Sequence, residues 1–257
     1  MTHETMIRIA ENSNTVVLLI HGILGTPHQF DILLPAIPRS CSFVNLLLDG
    51  HGGQVDDFAH SSMPKWEDQV RRTVDELAEK YERILIVGHS MGTLLAIENA
   101  VRLPEKIKGL FLISPPTRIG IKPLVFVNVF KVGLGFADEN NPVDMAAKQA
   151  YSMPSDRRLW KYIGWIPRFL ELFQKIARTR KLLPDISVPI LTLLCRKDEL
   201  VSLRSAKDFA DHPAASVQYL PASTHFTYSA ADAEQIRKAF SAFFDKTCSS
   251  KGRASDA

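Results

Sequence analysis

An apolar run, Arg83-Ile84-Leu85-Ile86-Val87, passes through Gly88-His89-Ser90-Met91-Gly92 directly into a helix-like stretch from Met91 to Arg102. A chain that changes from strand to helix in so few residues must bend sharply. Glycines at both ends of the bend remove Cβ atoms that would strike neighbouring backbone. The apical side chain is then forced out of the turn. Here it is a hydroxyl, so Ser90 is the first candidate nucleophile. A Gly-x-Ser-x-Gly string in isolation is commonly an ordinary turn, and its place between strand and helix is what gives it chemical meaning.

The surrounding pattern fits that geometry. Strand-like segments at Thr15 to Ile20, Phe43 to Leu48, Arg83 to Val87, Gly109 to Ile113, Pro189 to Cys195 and Val217 to Leu220 alternate with helical ones. The helices are expected at Trp66 to Tyr81, Met91 to Arg102, Ser205 to Asp211 and Ala231 to Asp245. This alternation predicts an α/β fold with a mostly parallel sheet flanked by helices. A chain of 257 residues, 46% hydrophobic and 23% charged, suits one large domain with a sizeable core. The run Val16 to Ile20 is far too short to span a bilayer.

Met1-Thr2-His3-Glu4-Thr5-Met6 carries an early acid and no hydrophobic leader follows, so a cytoplasmic location is expected. Cys41, Cys195 and Cys248 are odd in number and widely spaced, which suits reduced thiols and matches neither a disulfide framework nor a metal site.

The alternation breaks once, between Ser114-Pro115-Pro116 and Ser187-Val188-Pro189. A gap of that length is too long for a structureless loop, and it contains helical stretches such as Ile166 to Leu183. Residues 118–184 are therefore expected to form a helical cap, inserted into a core made of residues 1–117 and 185–248. Residues 249–257 are small and polar and are expected to be a disordered tail. Within the cap, Leu124 to Val132 is apolar except at Asn128 and Lys131. It reads either as a segment packed on the core or as the wall of an acyl-chain pocket, with Phe126, Val127 and Phe130 as candidate substrate contacts.

The cap also holds 12 Lys and Arg against 5 acids, although the whole chain carries only +3. Two readings of that local charge stand. Arg157, Arg158, Arg178, Arg180 and Lys181 could draw in an anionic substrate or an anionic lipid surface, or they are simply solvated helix faces. No nucleic-acid reading motif accompanies them.

A serine hydroxyl is a weak nucleophile at neutral pH and needs a histidine within hydrogen-bond reach and an acid to orient it. In open parallel sheets such groups collect at the carboxyl ends of strands. Asp198 follows Leu193-Leu194-Cys195-Arg196-Lys197, and His225 follows the last strand. Glu199 is the nearest rival for the acid, then Asp185, which precedes its strand; Ile113-Ser114-Pro115-Pro116 offers none. Among the other histidines, His21, His51 and His89 lie within glycine loops, whereas His3, His28, His60 and His212 sit in no motif.

The chain resembles the α/β-hydrolase superfamily, and within it small carboxylesterases and monoacylglycerol-lipase-like enzymes. The resemblance rests on His21-Gly22-Ile23-Leu24-Gly25, Asp49-Gly50-His51-Gly52, the Ser90 turn, Arg196-Lys197-Asp198-Glu199-Leu200-Val201 and Ser223-Thr224-His225-Phe226, all in order and each at a strand end. It implies the α/β-hydrolase fold, a Ser90–His225–Asp198 triad, and an oxyanion hole from the backbone N–H groups of Ile23 and Met91. It implies no cofactor and no metal, and the glycines form no dinucleotide or Walker fingerprint. The expected activity is hydrolysis of a small carboxylic ester through an acyl-enzyme. Thioester or carbon–carbon cleavage on the same triad, or a ligand-binding receptor built on the same shell, are the alternatives.

Overall fold

A computed structural model of the chain describes residues 3–120, 156 and 158–248. The candidate contacts Phe126, Val127 and Phe130, together with Arg157 and the tail from 249, lie outside these residues. Seven strands form one sheet: β1 (Met6–Arg8), β2 (Thr15–Ile20), β3 (Ser42–Leu46), β4 (Arg83–His89), β5 (Ile107–Ile113), β6 (Ile190–Cys195) and β7 (Ala215–Leu220). Their order is β1-β3-β2-β4-β5-β6-β7. Every neighbouring pair is parallel except β1 with β3. This is the α/β-hydrolase arrangement, with the antiparallel strand at one edge.

Alternation along the central strands divides the core. In β2 every residue is buried, with Val16, Leu18 and Ile20 facing one layer and Val17 and Leu19 facing the other. Helices α2 (Met63–Lys80) and α3 (Met91–Arg102) cover the first side. In α2, Met63, Trp66, Val70, Val74 and Leu77 recur at the spacing that lines one helical face, and Ser62 caps the start by accepting from the Lys65 N–H. The opposite side is sealed by α6 (Ala230–Cys248) through Ile236, Phe240, Phe243 and Phe244. Phe111 meets Phe240 edge-on, and Gly109 leaves room for the Phe243 ring. Two shorter helices, α1 (Val55–His60) and α5 (Ala206–Ala210), join loops at the carboxyl edge.

Between β5 and β6, a 3-10 turn at Leu159–Trp165 leads into α4 (Ile166–Leu182). Tyr162, Trp165, Phe169 and Leu172 join the core layer of α2 and α3. Polar contacts pin the segment to α1 and α2: Trp165 Nε1 donates to the Val55 carbonyl, and the Glu171 carboxylate accepts from the Met63 N–H. The Lys175 ammonium is fully buried and ion-paired with Glu67 at 2.9 Å and with Glu98. The other flank leaves Trp160, Ile163, Ile166, Leu170 and Phe173 in solvent. Among the described residues no helix is long and apolar enough to cross a membrane.

The residues that follow β5 are fastened to the turn after β6. Gly120 N–H donates to the Leu200 carbonyl at 3.0 Å and Ser202 N–H to the Arg118 carbonyl at 2.9 Å, so Ile119 and Val201 pair as a short antiparallel bridge. The Arg118 guanidinium forks onto Asp208 of α5, which Arg180 of α4 approaches at 3.8 Å.

The turn from β4 into α3 presses directly on β2. A Cβ built on Gly92 would lie 2.0 Å from the Ile20 carbonyl oxygen, a backbone atom that cannot step aside. At Gly25 the added carbon would meet only the tip of the Gln29 side chain. Gly92→Ala should therefore cost about 3 kcal/mol or more by overpacking, and Gly25→Ala about 1 kcal/mol or less; urea midpoints of the two variants check the contrast.

Candidate active site

Ser90 stands at the end of β4 with φ 49° and ψ −122°, a backbone conformation that serine rarely adopts. The surroundings enforce it. Gly92 touches β2, and a Cβ on Gly88 would fall 2.7 Å from the Thr93 Cα. The Ser90 N–H donates to the Ile113 carbonyl, tying the bend to β5.

The structure brings Ser90, His225 and Asp198 into one line across 135 residues of sequence. Ser90 Oγ lies 3.0 Å from His225 Nε2, and His225 Nδ1 lies 2.9 Å from Asp198 Oδ2. Since an ionised carboxylate can only accept, Nδ1 carries the proton and Nε2 offers its lone pair to the serine O–H. All three groups are buried.

Asp198 is held from several directions. Its Oδ1 accepts from the N–H groups of Leu200 (2.9 Å) and Val201 (2.7 Å), and its Oδ2 also accepts from the Ser114 hydroxyl (2.8 Å). Burial alone would raise this carboxyl, but the His225 charge, its hydrogen bond and the two N–H donors outweigh it and hold the group down at about 2. For His225, burial opposes the charge while the Asp198 carboxylate and the Glu199 charge favour it, and the balance lies above the ordinary histidine value.

The main chain of residue 225 is gripped as well. Its carbonyl accepts from His89 Nε2 at 3.2 Å, and its N–H donates to Glu199 Oε2 at 3.0 Å. The preceding turn is anchored by the Ser223 hydroxyl on Asp232 of α6 and by Thr224 Oγ1, which accepts from the Thr227 N–H. His89 is neutral because burial and the nearby His225 charge press it down to about 3.

The loop after β2 is shaped by two further neutral histidines. His21 Nδ1–H donates to the Gly22 carbonyl while Nε2 accepts from the Leu48 N–H, linking this loop to the end of β3. His51 Nδ1–H donates to the Asp49 carbonyl and Nε2 accepts from the Leu24 N–H at 3.1 Å. Leu24 has φ 60°, so this contact fixes an otherwise unfavourable turn. Among the described residues no hydrogen bond occupies the backbone N–H of Ile23 or of Met91. Both flank Ser90, where the two loops come so close that a Cβ built on Gly22 would lie 2.9 Å from the Ser90 Cβ.

Sequence reasoning missed three contributors. Ser114, also in a left-handed conformation at φ 48°, supplies a hydroxyl at a strand end that carries no acid. Glu199 binds the histidine's main chain and leaves the ring to Asp198. His89 holds the same loop from the other side. None of these contacts has a spacing signature, because each joins residues from different strand ends.

A serine, a histidine and a buried carboxylate so arranged, on this sheet, define the α/β-hydrolase class of proteins. The chain belongs to the Alpha/beta hydrolase family, which it matches over residues 17–239. It is 33% identical over 97 residues to the thermostable monoacylglycerol lipase of Bacillus sp. (strain H-257), covering 37% of this chain and 39% of that one. It is 30% identical over 157 residues to the pimeloyl-[acyl-carrier protein] methyl ester esterase of Neisseria meningitidis, covering 61% of this chain and 42% of that one. The matched stretches thus span less than half of these relatives' own length. By structure, the chain is similar to a lipolytic enzyme from work on the metagenome-derived LipS and LipT, with TM-score 0.74, 21% identity and coverage of 95% and 98%. The monoacylglycerol lipase of Paleococcus ferrophilus gives TM-score 0.66, 17% identity and coverage of 93% and 98%. At these identities the likeness establishes the fold.

The histidines should separate on titration. His225 is expected to gain its proton with a midpoint above the ordinary 6.5, while His51 and His89 stay neutral down to about 4 and about 3. Ring-nitrogen NMR from pH 8 to pH 4 checks this, and a His225 midpoint below 6.5 would contradict the geometry.

Proposed function

We propose that this protein is a serine carboxylesterase that cleaves a small ester through an acyl-enzyme, with Ser90 as nucleophile, His225 as general base and acid, and Asp198 as the orienting carboxylate. The observation that carries this reading is the unbroken line from Ser90 Oγ to His225 Nε2 (3.0 Å) and from Nδ1 to Asp198 (2.9 Å).

On this reading Ser90 Oγ attacks the ester carbonyl as His225 takes its proton. Charge grows on the carbonyl oxygen, and the N–H groups of Ile23 and Met91 are the proposed donors to it. His225 then protonates the leaving alcohol. Water, deprotonated by the same imidazole, attacks the acyl-enzyme, and Ser90 is regenerated as the acid departs. Asp198 stays ionised and stabilises the imidazolium in both halves. No cofactor or metal takes part in this scheme.

The similarity to a monoacylglycerol lipase and a methyl ester esterase favours ester chemistry, monoacylglycerols included, and the proposed acyl group is of short to medium length. The insertion is the proposed cap, and the apolar contacts proposed for the acyl group remain Phe126, Val127 and Phe130. Of the cap cations, Arg158 pairs with Asp156, Arg178 with Glu67 and Arg180 approaches Asp208, which supports a structural use for them over capture of an anionic substrate or lipid surface. Cys41, Cys195 and Cys248 are free, buried thiols, which supports the proposed cytoplasmic location.

Incubation with a fluorophosphonate probe is expected to label the native protein stoichiometrically and to fail with Ser90→Ala. The native protein should also turn over p-nitrophenyl esters many times, with a rate that depends on acyl length, and Asp198→Asn should lower kcat by about 10³–10⁴. Serine-dependent labelling without turnover would instead indicate a receptor, and faster release from thioesters than from matched esters would redirect the substrate class.

A further inference from the structure

Asp198 and Glu199 are consecutive acids at the end of β6, and both are bonded to His225. Asp198 takes the imidazole Nδ1–H, while Glu199 Oε2 accepts the main-chain N–H of the same residue at 3.0 Å. The turn that carries them is rigid, because Asp198 Oδ1 binds the N–H groups of Leu200 and Val201 and Val201 pairs with Ile119. Glu199 is thus fixed at its own backbone and at its carboxylate. A neutral acceptor could satisfy the same N–H, but less strongly, and would place no negative charge beside the imidazole.

We propose that Glu199 is a positioning residue for the reaction. Its carboxylate sets the height of the His225 loop, and its negative charge favours the imidazolium that forms as Ser90 releases its proton. The inference rests on the triad reading above. At a pH above its midpoint the resting His225 is neutral, and in the transition state it is cationic, so an anion held beside it acts more strongly on the second state than on the first.

The other groups facing His225 do not duplicate this role. From the β4–α3 turn come the Ser90 hydroxyl and the neutral His89, whose Nε2–H grips the carbonyl. From its own loop the Phe226 ring packs edge-on at 5.0 Å. Ser114, just past the end of β5, reaches Asp198 and not the ring, and the Cys195 thiol and the Tyr228 phenol behind Asp198 are kept protonated, first by burial. Asp198 and Glu199 are therefore the anions at this histidine among the described residues.

The test is the rate of phosphonylation by a fluorophosphonate, measured on the full chain from pH 5 to pH 9, with Ser90→Ala as the blank. For the native protein the rate should rise with pH as His225 loses its proton. Removing an anion lowers the pH at which that happens. Glu199→Ala should shift the midpoint down by about half a pH unit or more and lower the plateau about tenfold through the lost hydrogen bond to a charged group. Glu199→Gln keeps an acceptor without the charge, so it should recover part of the plateau and none of the midpoint. The same midpoints should appear in His225 ring NMR, which needs no activity.

A Glu199→Gln midpoint equal to the native one would overturn the electrostatic role, and a Glu199→Ala plateau equal to the native one would overturn the positioning role. Failure of the native protein to label at Ser90 would instead overturn the triad reading itself.

Discussion

A carboxylate buried at Asp198 governs the rest of the site. Taking such a charge out of water is costly unless nearly every lone pair finds a donor. Here the donors come from Leu200, Val201, Ser114 and His225, drawn from three different parts of the chain. Because the carboxylate stays ionised, His225 must carry its proton on Nδ1, and its other nitrogen is left facing Ser90. The position of one charge thus determines the tautomer, and the tautomer determines which oxygen can be activated.

The same environment sorts histidines that look alike in sequence. His21, His51, His89 and His225 are all buried, yet only His225 has a carboxylate against its ring. The other three are driven neutral, chiefly by burial, and serve as paired donors and acceptors for backbone groups. His21 and His51 spend both ring nitrogens on the loops after β2 and β3, and His89 uses one on the His225 carbonyl. They are rigid braces around the imidazole that faces Ser90.

Much of this was legible in the sequence, for definite reasons. Strands such as Thr15–Ile20 are continuous apolar runs, as a sheet covered on both faces requires, and α2 carries its buried residues at helical spacing. The Ser90 turn announced itself through glycines whose neighbours leave no space for a Cβ. Strand β1 and helix α1 were not anticipated. A strand of three residues is too short for alternation to register, and six-residue α1 owes its place to Trp165 and Lys161 reaching it from far along the chain. The supporting roles of Ser114 and Glu199 were hidden for a similar reason: each is an ordinary polar residue until folding sets it beside a partner from another strand.

The small antiparallel bridge between Ile119 and Val201 fixes the start of the segment that runs from β5 to β6. Val201 also donates to Asp198, so residues 118–120 and the buried carboxylate are both bound to one stretch of backbone. The sequence beyond Gly120 could then change without loosening the backbone that holds Asp198. Under the proposed function, substrate preference and chemical competence could then vary separately, with residues 118–120 as the seam between them.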